Sequence, residues 1–197
     1  MKKSVFIFSL LILCSFIGFS QIISGVDEVG TVSEDLISIK RAGKWAFIDS
    51  QGKMVINYRS DLLADEKTTN PLFKNGLCAI QEIKDGIPYY GFINTKGETV
   101  IPAEYLQITD FENGYAIALK VSQKSRGKSM LGKEIIDNYY DEVLIDKNGN
   151  VVEYLYGPKL ITLSKGYYKA PVITSKRVSK NLVAARTDDG KWKIFKI

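Results

Sequence analysis

The sequence predicts an all-β protein: an open array of β-hairpin repeats, with a closed β ring or barrel as the alternative and helix only in an N-terminal signal peptide. Three observations carry this. One short pattern returns four times along the chain, the mark of an architecture built from a single supersecondary unit. Three of the four copies centre on a turn with Asp or Asn first and Gly fourth. Beyond residue 20 no long apolar pattern with a 3.6-residue period competes with the strand-like runs.

Residues 1–20 read as a removable address. Lys2 and Lys3 precede the apolar run Val5–Phe19, and Gly18-Phe19-Ser20 places small residues at the two positions a signal peptidase reads, so cleavage is expected before Gln21. The rival reading, a retained anchor, wants roughly 20 apolar residues, more than this run supplies. Lipidation at Cys14 wants a small residue where Leu13 stands. Gln21–Ile197 is then expected to form a single β domain with a sizeable core. Its lone cysteine, Cys78, excludes an internal disulfide and, within Leu77-Cys78-Ala79-Ile80, reads as a buried thiol. Loss of Lys2 and Lys3 takes the net charge from +5 to +3, a weak basis for binding nucleic acid.

The first copy is Gly43-Lys44-Trp45-Ala46-Phe47-Ile48-Asp49-Ser50-Gln51-Gly52-Lys53-Met54-Val55-Ile56. Its aromatic and β-branched residues suit a short strand. Asp49 can bond its own backbone two residues on, and Gly52 accepts a positive φ, so Asp49–Gly52 reads as a type I turn closed by a left-handed Gly. Lys53–Ile56 returns as a second strand. The plan recurs in the second copy, Tyr89-Tyr90-Gly91-Phe92-Ile93-Asn94-Thr95-Lys96-Gly97-Glu98-Thr99-Val100-Ile101, and in the third, Val143–Val152, whose turn is Asp146–Gly149. The fourth, Gly190-Lys191-Trp192-Lys193-Ile194-Phe195, halts after one strand. That strand needs a partner: Leu182–Arg186 in an open array, the favoured arrangement, or Leu36–Ile39 in a closed ring. Either way Trp192 is expected to be buried. A second motif, Phe73-Lys74-Asn75-Gly76-Leu77-Cys78-Ala79-Ile80, matches Phe111–Ala118 and, more loosely, Val178–Ala185. Its Asn-Gly pair suits a turn, the run after it a strand, and Phe73 and Phe111 are expected to anchor beneath the hairpins. Each unit is thus expected to read turn, strand, turn, strand.

The Gly-Lys-Trp-x-Phe-Ile-Asp-x-x-Gly-Lys-x-Val-Ile string, the Tyr-Gly-Phe-Ile-Asn-x-x-Gly-x-x-Val-Ile-Pro string and the Phe-x-x-Gly-x-Ala motif resemble WG-repeat (KWG-repeat) proteins over about 40–197. The signature dipeptide is Trp45-Ala46 in copy one, Tyr90-Gly91 in copy two and Trp192-Lys193 in copy four, with Val143-Leu144 at its place in copy three, so the chain resembles a divergent member. The resemblance implies WG-repeat-like β architecture and an exported or surface-associated bacterial protein. It implies no reaction and no catalytic residue.

The spacing from Gly52 to Gly97 is shorter than that from Gly97 to Gly149, and the excess lies in Val121–Lys133, which carries Lys124, Arg126, Lys128 and Lys133. Insertions in repeats map to loops, often on the binding face. These four residues are the candidate contact for a polyanion, beside the plainer reading of a solvated loop.

Chemistry is otherwise scarce. The chain has no histidine, which excludes Ser-His-Asp and Cys-His catalysis in their usual forms and His-ligated metals, and one exported cysteine makes no thiolate site. Gly127-Lys128-Ser129 lacks the earlier Gly of a phosphate loop, and Asp146–Asn150 lacks the Gly and the terminal acid of a calcium loop. No catalytic, metal or cofactor residues are assigned. Adjacent acids such as Asp141-Glu142 point to opposite faces of a strand, but carboxylates from different repeats can meet as glycoside hydrolysis requires. The doublets Tyr89-Tyr90, Tyr139-Tyr140 and Tyr167-Tyr168 are candidates for stacking on a sugar or partner, and otherwise half-buried strand residues. The leading expectation is an exported, non-enzymatic binding module of the cell envelope, periplasmic, cell-surface or secreted. Its partner is an envelope protein or polysaccharide rather than nucleic acid, and it meets the membrane only through the signal peptide. The alternatives are an exported hydrolase using carboxylates or a lone Ser or Thr, and a purely structural envelope component.

Overall fold

Short runs of aromatic and β-branched residues between turn residues give strands throughout the computed structural model, which describes residues 21–197; the expected leader, 1–20, lies outside the described residues. In chain order the strands are β1 (Glu28–Ser33), β2 (Leu36–Arg41), β3 (Lys44–Asp49), β4 (Met54–Arg59), β5 (Leu77–Lys84), β6 (Ile87–Asn94), β7 (Thr99–Ile108), β8 (Tyr115–Lys128), β9 (Glu134–Asp146), β10 (Val151–Ile161), β11 (Lys176–Ser179), β12 (Leu182–Arg186) and β13 (Trp192–Lys196). There is no helix among the described residues. The strands form three antiparallel meanders, β1-β2-β3-β4, β10-β9-β8-β7-β6-β5 and β11-β12-β13.

The unit has three strands, not the two expected. The run after Asn75-Gly76 reverses at Asp85-Gly86 straight into Ile87, pairing Lys84 with Ile87, so the two sequence motifs are parts of one meander. Full units are β2-β3-β4, β5-β6-β7 and β8-β9-β10, and the last, β12-β13, stops one strand short. The turn between second and third strands is built as expected. Gly52, Gly97 and Gly149 have φ of 79°, 83° and 82°. Asp49 Oδ1 accepts from the N–H groups of Gln51 and Lys53, both at 2.9 Å; Asn94 does the same for Lys96 and Glu98, and Asp146 for Asn148 and Asn150. One side-chain oxygen thus holds two otherwise unpaired donors, which makes the turn a fixed part.

No core belongs to one unit. Trp45, Phe47 and Ile56 of the first pack with Phe73, Cys78, Ile80 and Ile93 of the second. Phe92, Ile101 and Tyr105 pack with Phe111, Ala116, Ala118, Val143 and Ile145 of the third. Ile117, Leu144 and Leu155 pack with Val183 and Ala185 of the fourth. Phe73 and Phe111 are the anchors foreseen, each with its ring centroid 4.8 Å from that of Phe47 or Phe92. Cys78 is buried, and burial pushes its thiol up to about 12.

Two expectations need correction. Glu142 pairs with Tyr156 as Trp45 pairs with Arg59 and Tyr90 with Tyr105, so Glu142-Val143, not Val143-Leu144, stands at the dipeptide's place in the third unit. Trp192 is not buried. β12 pairs with β13, so the array is open, with no closed ring or barrel; Leu36–Ile39 is unavailable because β2 already has β1 and β3 on its two edges. With no third strand beyond it, β13 is an outer strand and Trp192 stays 40% exposed, covered by Arg186 and Lys176 at 4.0 and 4.9 Å from its ring centroid.

Gly91 shows why a residue without a side chain sits at the dipeptide's second place. A Cβ there would lie 2.4 Å from the Ile101 carbonyl oxygen and 2.6 Å from the Pro102 carbonyl carbon, both backbone atoms of β7. Neither can swing aside, so Gly91→Ala is expected to cost about 2 kcal/mol through overpacking, measured by urea unfolding; an unchanged midpoint would contradict the close approach.

Candidate functional site

Val121–Lys133 is not a loop. Ser129-Met130-Leu131-Gly132 forms the same Gly-closed turn as the other units, with Gly132 N–H donating to the Ser129 carbonyl at 2.9 Å, φ of 75° at Gly132, and Lys133 N–H donating to Ser129 Oγ at 3.2 Å. The insertion is therefore added strand. β8 and β9 stay paired from Tyr115↔Asp146 out to Lys128↔Glu134. β7 accompanies β8 only as far as Lys120, and β10 accompanies β9 only as far as Asn138. From Lys124 outward the two strands stand alone, an arm projecting about 15 Å at the usual rise per residue.

Lys124, Arg126, Lys128 and Lys133 all lie on this arm, but they do not share one face. A bulge between Ser125 and Gly127 inserts Arg126 as an extra residue. Lys124 lies opposite Asp137, while Lys128 lies opposite Glu134, and successive positions of β9 face opposite ways. Arg126 is committed to Asp137, Nη2 to Oδ1 2.7 Å. The arrangement is a collar around the arm rather than a flat basic patch. At its apex Met130 and Leu131 are 105% and 88% exposed, and Ile135 and Ile136 are exposed on opposite faces behind them.

A second assembly lies on the seam between units. Lys74 Nζ sits 2.5 Å from Asp65 Oδ2 and 2.6 Å from Asp110 Oδ2, bridging carboxylates from two different inter-strand links. The hydrogen bond from Lys74 leads the effects holding the Asp65 carboxyl down to about 2. Burial opposes the charge of Lys74, but its bonds to Asp110 and Asp65 outweigh that and hold its pKa up. Beside it a cleft of ≈ 630 Å³ runs from Lys74 and Asp110 past Glu112 and Tyr115 to Ser175 and Arg177. The Ser175 hydroxyl is buried there without a partner.

A third place, between the second and third sheets, is a cleft of ≈ 710 Å³ lined by Asp141, Tyr154, Tyr156, Arg186, Asp188 and Asp189 among others. Burial raises the Asp141 pKa, while hydrogen bonds from Lys159 and the Tyr156 hydroxyl lower that of Asp188. Of the tyrosine doublets, Tyr89, Tyr140 and Tyr168 pack into one apolar cluster with Ile87, Leu106 and Leu119, and Tyr167 is exposed. Among the described residues no three His, Cys, Asp or Glu side chains group as metal ligands.

The sequence holds a signal for the arm: Ser129 and Gly132 have the spacing of the repeat turn, with Ser in place of Asp or Asn. The Asp65–Lys74–Asp110 bridge had none, since those residues share no motif and meet only when units stack.

Residues 90–120 match the family model described as WG containing repeat. The matched frame runs from the second strand of one unit to the first strand of the next, and Phe92, Ile101, Tyr105, Phe111, Ala116 and Ala118, all members of one inter-unit core, fall inside it. No curated protein and no solved structure matches the chain.

The Lys74 bridge makes acid stability depend on one cation. The Asp65 carboxyl titrates near 2 when folded and at its ordinary 3.8 when not, so its stabilisation is full above about pH 4 and disappears as the pH falls toward 2. It amounts to about 1 kcal/mol once solvent screening is allowed for. Lys74→Met is expected to remove most of it, leaving the part that the Lys67 and Thr68 N–H groups supply: urea unfolding at pH 7 shows the loss, and the variant's stability falls less steeply than the parent's between pH 4 and 2. Parallel acid limbs would refute the assignment.

Proposed function

We propose that this chain, which carries a WG-containing repeat over residues 90–120, is an exported, non-enzymatic binding or interaction module of the cell envelope. The observation that carries the reading is the β8–β9 arm. It adds nothing to any core, it presents Met130 and Leu131 to solvent, and an isolated two-stranded hairpin is marginal in water. A feature of that kind is supported by what it touches outside the chain. The leader-like residues 1–20 support export. The Lys74 bridge supports binding over hydrolysis at its own cleft, because Lys74 engages both the Asp65 and the Asp110 carboxylates and holds the Asp65 carboxyl near 2, so Asp65 has no proton to donate at neutral pH.

Capture from a native envelope extract tests the reading. The full chain is compared with a variant in which residues 124–137 are replaced by Asn-Gly, a pair suited to closing a two-residue hairpin. The parent is expected to retain an envelope component, whether protein, polysaccharide or membrane, that the shortened chain holds at least tenfold less well. Equal retention by both, or none by the parent, would remove the basis of the proposal.

A carboxylate-dependent hydrolase is the second reading, favoured by the cleft that holds Asp141 and Asp188. Their environments push the two pKa values apart, as an acid and its partner in glycoside hydrolysis require. On this reading nitrophenyl glycosides are cleaved by the parent and not by Asp141→Asn. Cleavage by neither, or by both alike, would dismiss it.

A further inference from the structure

The β8–β9 turn has internal controls in the same molecule. Turns of the same build carry Ser50-Gln51, Thr95-Lys96, Lys147-Asn148 and Asp188-Asp189 at their middle positions, all polar. Only the turn at the end of the arm carries two large apolar side chains there, Met130 and Leu131, and they touch water almost completely. The turn itself does not need them. Ile136, opposite Ser125, and Ile135, opposite Gly127, are exposed on the two opposite faces of the arm just behind the tip. Apolar surface therefore surrounds the end of the arm instead of forming one flat stripe. Immediately behind lie Lys128 and Lys133, then Arg126 and Lys124, against only Glu134 and Asp137, an excess of two positive charges.

We propose that the arm is a membrane-contact element whose tip enters the interface of a bilayer carrying anionic headgroups. This rests on the binding-module reading and names the partner. A protein partner would meet one face of the hairpin and leave the other isoleucine wet, whereas a lipid interface receives the tip from all sides. An anionic polysaccharide would engage the cations and leave Met130 and Leu131 in water. A bilayer offers apolar depth to the tip and negative charge at the level of the collar. The collar residues nearest the tip lie within the ~8 Å over which such charge acts at physiological salt. Each unbalanced cation contributes about fivefold to binding.

The test uses the full chain, and because the apolar run Val5–Phe19 can seek lipid by itself, every readout is confined to the arm. Leu131→Trp places a reporter at the tip, and its emission is taken as the difference from the parent. With phosphatidylcholine–phosphatidylglycerol vesicles the emission is expected to shift blue and to be quenched by lipids brominated in the acyl chain. With phosphatidylcholine alone the response should be several-fold weaker. In the same background Met130→Asp is expected to reduce it at least tenfold, and replacing Lys124, Arg126, Lys128 and Lys133 with Gln should abolish the preference for phosphatidylglycerol. An emission indifferent to vesicles, or to Met130→Asp, overturns the proposal. If that happens while envelope capture still depends on the arm, the lipid assignment fails and the binding reading stands on another partner. If capture is independent of the arm as well, both fall.

Discussion

The array depends on a hydrogen bond between the third strand of one unit and the turn glycine of the next. Arg59 Nη1 donates to the Gly97 carbonyl at 3.0 Å, and the Tyr105 hydroxyl donates to the Gly149 carbonyl at 3.2 Å. The same glycines lie against the preceding unit: a Cβ on Gly97 would sit 3.2 Å from Ile56, and one on Gly149 3.4 Å from Ile101. Glycine is thus required twice, for its backbone conformation and for the neighbour's isoleucine. A second ladder runs along the opposite turns, where Gly76 N–H donates to the Glu34 carboxylate at 2.8 and 2.9 Å and Gly114 N–H donates to Asn75 Oδ1 at 3.1 Å. Each bond contributes only about 1 kcal/mol. Their repetition at matching places fixes how one unit sits on the next, and the three cores form in the spaces so defined.

Contacts of this sort make the molecule nearly one-dimensional, each unit answering only to its neighbours. The ladders use the turn before the first strand and the turn after the second. They leave the turn between first and second strands unused. That turn is Ala42-Gly43 in the first unit and Asp85-Gly86 in the second, two residues each, and it grows into the long arm in the third. The growth leaves the Asp146–Gly149 turn in place, still bonded to Tyr105. Elaboration is therefore confined to the one corner of the unit that stacking does not constrain, and the structure can carry an exposed, apolar-tipped arm without disturbing any core.

What the sequence made legible is what repeats. Three turns were placed because Asp or Asn and Gly stand at fixed distances, and Phe73 and Phe111 were placed because they precede the same Asn-Gly pair. The pairing of the strand after Asn75-Gly76 with the strand that carries the dipeptide is not legible from either motif alone, although Asp85-Gly86 between them is a strong hairpin signal. The basic segment looks like a loop in the sequence because Ser129 and Gly132 spell the repeat turn with a different first residue, and because its strands are rich in Lys, Ser and Gly instead of β-branched residues. The burial assigned to Trp192 followed from likeness to Trp45, but Trp45 lies in a strand flanked on both sides and Trp192 in an outer one. The Lys74 bridge and the cleft of Asp141 and Asp188 are products of stacking and leave no trace in local sequence.

Glu142 shows how far the unit can drift while the ladder holds. It occupies the place of the signature tryptophan and is 1% exposed, a carboxylate where the first unit buries Trp45 and the second half-buries Tyr90. An unpaired buried carboxylate would be strongly destabilising. Here Oε1 accepts from the N–H and the hydroxyl of Thr174, both at 2.8 Å, and Oε2 accepts from Ser175 N–H at 2.8 Å. The group ties the segment entering the fourth unit to the third, the task that ring packing against Phe73 and Phe111 performs at the earlier junctions. The fourth unit has no third strand to carry the array onward and no glycine seated against an isoleucine. It is docked by directed hydrogen bonds to one carboxylate and by the small core of Val183 and Ala185. The dipeptide is therefore replaceable wherever another device joins successive units, and the turn glycine is not, because no other residue meets both of its requirements.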